Sequence, residues 1–199
     1  ELTRSWSGKI VVDKALNNSC DVVVYVKTVD NAGNENIQSV KLDIDIICPD
    51  ISVTFDNGND NNGNTYFNAQ RVATVVITER NHHFDADAAT AGIVINAVDA
   101  EGKAVENAYN ISGWTTAENT ENPDATTHTA VITFAKDANY TWSISYTDKA
   151  GNANSGVHTS VTTGASVAAF AFTVDTEKPT GTIKAVSAEG RETEWNTLR

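Results

Sequence analysis

Cationic residues are scarce in this 199-residue chain. Lys and Arg number 14 against 26 Asp and Glu, giving a net charge of -12. Attraction to phosphate needs clustered cations, so neither nucleic acid nor an anionic lipid surface is expected as a partner. Long apolar runs are missing too, and no segment is expected to insert into a membrane. Methionine is absent, even at position 1. No signal peptide, sorting motif or lipidation motif is present, and the chain is expected to be a piece of something longer. Two cysteines are too few for a disulfide scaffold and lack the spacing of a zinc site. The straight-chain helix formers Leu, Lys, Arg and Gln are sparse, which argues against long helices.

The residues that are abundant point elsewhere. Apolar residues make up 40% of the chain, ample for a packed core. Asn, Asp, Thr, Ser and Val dominate, and β-branched runs alternate with Asn/Asp/Gly clusters. That pattern predicts an all-β protein with many turns. Val40, Leu42, Ile44 and Ile46 alternate with Lys41, Asp43 and Asp45, as in a strand with one buried and one wet face. Val22, Val24 and Val26 form another such series, as do Tyr140, Trp142, Ile144 and Tyr146. Further strands are expected over 10–12, 51–55, 71–78, 93–98, 129–134 and 168–174, with a short Ala-rich helix over 84–90.

An internal repeat organises the chain. Asp30-Asn31-Ala32-Gly33-Asn34 matches Asp148-Lys149-Ala150-Gly151-Asn152, each at the end of a strand. Asp opens such a turn through its side-chain acceptor, and Gly takes a positive φ cheaply. A strand follows each turn, then Asp-x-x-x-Pro, at Asp45 to Pro49 and at Asp175 to Pro179. An insertion over 154–167 accounts for the difference in offset. A stiff Pro at each junction does not extend the preceding sheet. The expected domains are therefore 1–48, the C-terminal part of one β unit; 49–178, a complete unit; and 179–199, the start of a third.

Strands ending in Tyr146-Thr147-Asp148-Lys149-Ala150-Gly151-Asn152, followed by Thr173-Val174-Asp175 and Pro179, resemble the tandem immunoglobulin-like domains of large Gram-positive bacterial surface proteins. Tyr66-Phe67-Asn68-Ala69, Glu79-Arg80-Asn81 and Gly113-Trp114-Thr115 add to the resemblance. It implies an immunoglobulin-like β-sandwich at the bacterial cell surface, without catalytic residues or cofactor. The implied roles are binding of a host protein (immunoglobulin or a mucosal glycoprotein), a passive stalk, or a carbohydrate-binding module. Neighbouring immunoglobulin-like units would be partners in the same chain. Fold alone does not choose among these roles.

Several constellations are candidate sites. If the strands after Cys20 and before Cys48 form a hairpin about Gly33-Asn34, residues whose numbers sum to about 67 or 68 face each other. Cys20 and Cys48 then meet at the open end, where a disulfide would contribute about 3 kcal/mol; the alternative is two unrelated thiols. The polar run 56–64 resembles a calcium loop. An EF-hand frame with Gly63 at its sixth position places Gly58 first and Ala69 twelfth, neither a carboxylate, so the frame fails. His82 and His83, with Asp85 and Asp87, offer metal-ligand atoms, but adjacent strand residues point to opposite faces and no metal is expected. No nucleophile elbow, phosphate-binding Gly loop or zinc-peptidase helix is present, so an enzyme is not expected. Tyr109 and Trp114 flank a polar stretch containing Glu118 and Asn119. Trp114 either plugs one end of the sandwich or, with Tyr109, anchors a ligand. If the chain binds a partner, the expected contacts are Asn81, His82, His83, Asp85, Tyr109, Trp114, Glu118 and Asn119, on the loops 81–90 and 109–128, or an exposed strand edge.

Overall fold

A computed structural model describes residues 7–13, 19–56, 66–80, 83–120, 124–154, 156–159 and 170–181. The chain begins with a hairpin of β1 (Ser19–Val29) and β2 (Glu35–Ile44). Among the described residues these strands pair only with each other. Among the described residues ten strands and one helix follow. They are β3 (Asp50–Phe55), β4 (Tyr66–Phe67), β5 (Arg71–Arg80), α1 (Ala86–Ala91), β6 (Ile93–Val98), β7 (Tyr109–Ile111), β8 (Thr115–Glu118), β9 (Ala125–Phe134), β10 (Ala138–Ile144), β11 (Val157–Thr159) and β12 (Phe170–Val174). One sheet has the order β11-β3-β5-β9-β7, with β8 also on β9; the other runs β4-β12-β10-β6. Most pairings are antiparallel, but β11 lies parallel to β3 and β4 parallel to β12.

The two sheets face each other across one core. Ile51, Val53, Ala73, Val75, Ile77, Ile132 and Phe134 come from the first sheet, and Tyr140, Trp142, Ile144, Phe172 and Val174 from the second. Each set is every second residue of its strand, which is what a pleated strand dictates. Phe134 meets Phe172 edge-on at 5.0 Å, and Phe55 meets Trp142 at 6.2 Å, joining the sheets through aromatic contacts. The expected strand over 93–98 is present with those bounds, and those over 51–55, 71–78 and 129–134 with shifted ends. The strand expected over 168–174 is described from Phe170 to Val174, with 168 and 169 outside the described residues. Residues 10–12 form no strand.

The hairpin differs from its expectation in register and burial. Its pairs run from Val29↔Glu35 to Val22↔Leu42, with a shift before Ser19↔Ile44. The turn is centred on Ala32, tighter than a turn about Gly33-Asn34, and Cys48 lies four residues beyond the partner of Ser19. Cys48 is a free, exposed thiol, so of the two alternatives for Cys20 and Cys48 the bridge is not formed. The alternation of β2 is real, but its apolar face is partly uncovered: Val40 is 53% exposed, and Val26 on the same face of β1 45%.

Both copies of the repeated turn fold alike. The Asp30 Oδ1 accepts from the Asn34 backbone N–H at 2.8 Å, and the Asp148 Oδ1 accepts from the Asn152 N–H at 2.8 Å. In each, the Asn side-chain amide donates to the second Asp oxygen. Gly33 and Gly151 have φ of 85° and 91°, where a Cβ would be strained. Asp99 and Gly102 close a third turn of this kind, with the Lys103 N–H on Asp99 Oδ1 at 2.8 Å and φ of 83° at Gly102.

Gly92 is needed for a different reason. It follows α1 with an ordinary φ of -74°, but a Cβ there would collide with the Ser145 backbone carbonyl. Its own carbonyl accepts the Ser145 N–H at 3.1 Å. Gly92→Ala is therefore expected to cost about 2 kcal/mol or more by overpacking against rigid backbone. Gly102→Ala, in open space, should cost only about 1 kcal/mol of backbone strain. Urea midpoints at unchanged m-value will separate the two.

Candidate functional site

Strict alternation makes β5 the spine of the first sheet. Arg71, Ala73, Val75, Ile77 and Glu79 all point inward, and Glu79 is fully buried. Glu79 sits where β5 reaches the end of the sandwich, opposite the buried Thr126. Asp148 approaches from the Asp148–Asn152 turn, and Asp45 from the segment after β2; both are also buried. These three carboxylates bring one oxygen each to within 4.8 Å of one another.

The turn that presents Asp148 also reaches the segment that presents Asp45. The Asn152 amide donates to Asp148 Oδ2 at 2.8 Å and to the Asp45 carbonyl at 3.2 Å. Asp45 Oδ1 accepts the Ile47 N–H at 2.9 Å. By contrast, Asp45 Oδ2 and both Glu79 oxygens are buried without a hydrogen-bond partner. Among the described residues no Lys or Arg forms an ion pair with any of the three. A shallow cleft of about 290 Å³, lined by Asp43, Asp45, His83, Lys149 and Ala150, opens onto the Asp45 side.

The electrostatic consequence falls on Glu79. Burial, then the negative charges of Asp148 and Asp45, push its carboxyl up to about 8. Tyr146, whose hydroxyl accepts the Asp85 N–H at 2.9 Å, is pushed up to about 12 by burial, with Glu79 among the nearby charges. Three converging carboxylates have two chemical outlets, sharing a proton or gathering round a hard cation.

The residues expected to contact a ligand do not converge. Asn81 and His82 lie outside the described residues. His83 pairs with Asp43 at 3.3 Å and lines the cleft beside Asp45. Asp85 caps α1, its Oδ1 accepting from the N–H groups of Asp87 and Ala88. Trp114 packs edge-on against Phe84 at 5.2 Å and donates its indole N–H to Thr90 Oγ1 at 3.0 Å. It plugs the sandwich end, the first of the two roles expected for it. Phe84 also stacks on His128 at 3.8 Å, and the His128 ring lies between Thr116 and Thr126 hydroxyls at 2.9 and 2.7 Å. Tyr109 is 40% exposed and pairs with Phe134, whereas the exposed Glu118 pairs with Thr126. Those are opposite ends of β9, about 26 Å apart at the usual strand rise. The Asn119 N–H donates to the Ala125 carbonyl at 3.2 Å. The polar run 57–64 lies outside the described residues.

The outer face of the first sheet has an uncharged centre. Rows cross β3, β5 and β9 at Ser52-Val76-Thr129 and Thr54-Thr74-Val131, beside Val72-Thr133, and all of these residues are half-buried. Toward the Glu79 end the face carries charge: the next row is Asp50-Thr78-Thr127, with Asp50 3.6 Å from His158, and Arg80 follows on β5. No family model matches the sequence, and no curated protein matches it.

Two outcomes follow. In the unfolded chain Glu79 ionises near 4.5, while in the fold it keeps its proton to about 8. The folded state therefore binds the extra proton between these values. Without divalent cations, stability should be greatest below the unfolded value and fall by a few kcal/mol as pH rises through about 8. Glu79→Gln should flatten that slope in denaturant titrations. Cys48 should be alkylated by iodoacetamide in the native protein, read by peptide mass.

Proposed function

We propose that the chain is a non-enzymatic, immunoglobulin-like segment of a bacterial cell-surface protein that stands outside the cell and binds a host protein. Immunoglobulin or a mucosal glycoprotein is the partner. The observation that carries the reading is the uncharged Ser/Thr/Val centre of the first sheet's outer face, with Asp50 and Arg80 only at its edge, on a chain of net charge -12. Cores of protein interfaces are depleted of charge, because desolvating an unpaired charge is costly. Methyl groups there offer apolar area, and threonine hydroxyls offer hydrogen bonds at little entropic cost. The uncovered hairpin supports the tandem arrangement, with 1–48 ending one unit, 49–178 forming the next and 179–199 starting a third. On its apolar face Val26 is 45% exposed and Val40 53%, as expected of a sheet whose covering layer belongs to the rest of its unit.

The carbohydrate reading needs a row of exposed aromatics, and the engagement of Trp114 by Phe84 and Thr90 speaks against it. In interferometry against purified immunoglobulins and mucin, the immobilised chain should retain one of them. Val76→Lys and Thr129→Glu should each weaken that binding about tenfold or more, with circular dichroism unchanged. No retention, or retention indifferent to both substitutions, would leave the passive stalk as the better account.

A further inference from the structure

The buried carboxylate cluster is unused by the reading above and is independent of it. We propose that Asp45, Glu79 and Asp148 form a site for a hard divalent cation of the size of Ca²⁺, fastening the segment after β2 to the sandwich. Three carboxylates with oxygens within 4.8 Å of one another are the donor set of such an ion. The cluster alone would be ordinary for an acidic chain. The independent observation is that Glu79, fully buried, brings an oxygen into it while neither of its oxygens has a hydrogen-bond partner, and Asp45 Oδ2 is likewise orphaned. Buried polar atoms are otherwise almost always satisfied. A shared proton quiets one of these carboxylates; a divalent cation satisfies all three at once. The adjoining cleft leaves room for water to complete a coordination shell of six to eight oxygens. With no imidazole or thiolate among the three, the set favours calcium over zinc.

The ligands come from the repeated motifs. Asp148 is the first residue of one repeated turn, matched by Asp30, and Asp45 is the first residue of the Asp-x-x-x-Pro junction, matched by Asp175. The geometry is matched as well. The Ile47 N–H donates to Asp45 Oδ1 at 2.9 Å and the Glu177 N–H to Asp175 Oδ1 at 3.1 Å. Asp175 is thus placed to serve the unit that follows in the way Asp45 serves this one, so that one cation would rigidify each junction.

The test is titration of CaCl₂ into the chelator-stripped 199-residue chain at neutral pH, by calorimetry and by thermal unfolding. One saturable site is expected, with a dissociation constant of about 10⁻⁴ to 10⁻³ M, and a rise in Tm that NaCl of equal ionic strength does not reproduce. Glu79→Gln should weaken binding about tenfold or more, yet be at least as stable as the parent in chelator. That pairing separates a lost ligand from a damaged fold. Asp148→Asn, which keeps the acceptor that closes the turn, should behave in the same direction. Absence of saturable heat and of any Tm change up to about 10 mM CaCl₂, or an undiminished response in Glu79→Gln, would overturn the proposal.

Discussion

The pairing of β5 with β9 is the constraint on which the sandwich depends. It runs unbroken from Arg71↔Phe134 to Arg80↔Ala125. Because side chains alternate, this one register decides what both faces contain. A slip of one residue would drive the threonine rows into the core and turn Val75, Ile77 and Ile132 to water. It also carries two ionisable groups inward at opposite ends of the same strand. Arg71 is held among the rings of Phe55, Phe67 and Phe172, with its guanidinium carbon 3.8, 3.9 and 4.5 Å from their centroids. The faces of those rings are negative and suit a cation. Glu79 at the far end meets Asp45 and Asp148, which do not suit an anion.

The two ends of the sandwich therefore differ in kind. The Arg71 end is closed by aromatic packing. The Glu79 end is sealed by Phe84, Trp114, His128 and Tyr146 on one side, with the three carboxylates close by. Tyr146 belongs to both, since it packs on Phe84 and its hydroxyl feels the charge of Glu79. This end also receives the segment from the preceding hairpin.

Much of this was legible in the residues. Period-two alternation marked the long strands, and the Asp and Gly of the repeated turn announced both the side-chain acceptor and the positive φ. The misses have specific causes. The strand ending at residue 78 in the pattern runs on to Arg80, and the two added residues carry Glu79 into the core. Carrying the alternation of Ala73, Val75 and Ile77 one step further would have flagged it. The hairpin register was misplaced because the turn closes on Asp30 and Asn34, which shortens the loop and takes Cys48 past its expected partner. Strands β4, β7, β8 and β11 have two to four residues each, too few for a period to show. Two of them pair in parallel with strands distant in the chain.

What the sequence determined by itself is local. Alternation, β-branching and the Asp/Gly turns specify strands, their inward faces and the hairpin corners through forces acting over a few residues. The repeat likewise reveals that Asp45 and Asp148 belong to recurring motifs. Tertiary structure alone decided that these two meet Glu79. Their meeting depends on how a turn after β10, a segment after β2 and the end of β5 converge in space. Convergence of that kind is set by sheet packing and long-range register. It leaves no period or spacing in the chain, because Asp45 and Asp148 close their local turns, and Glu79 follows its strand's alternation, whether or not the others are near.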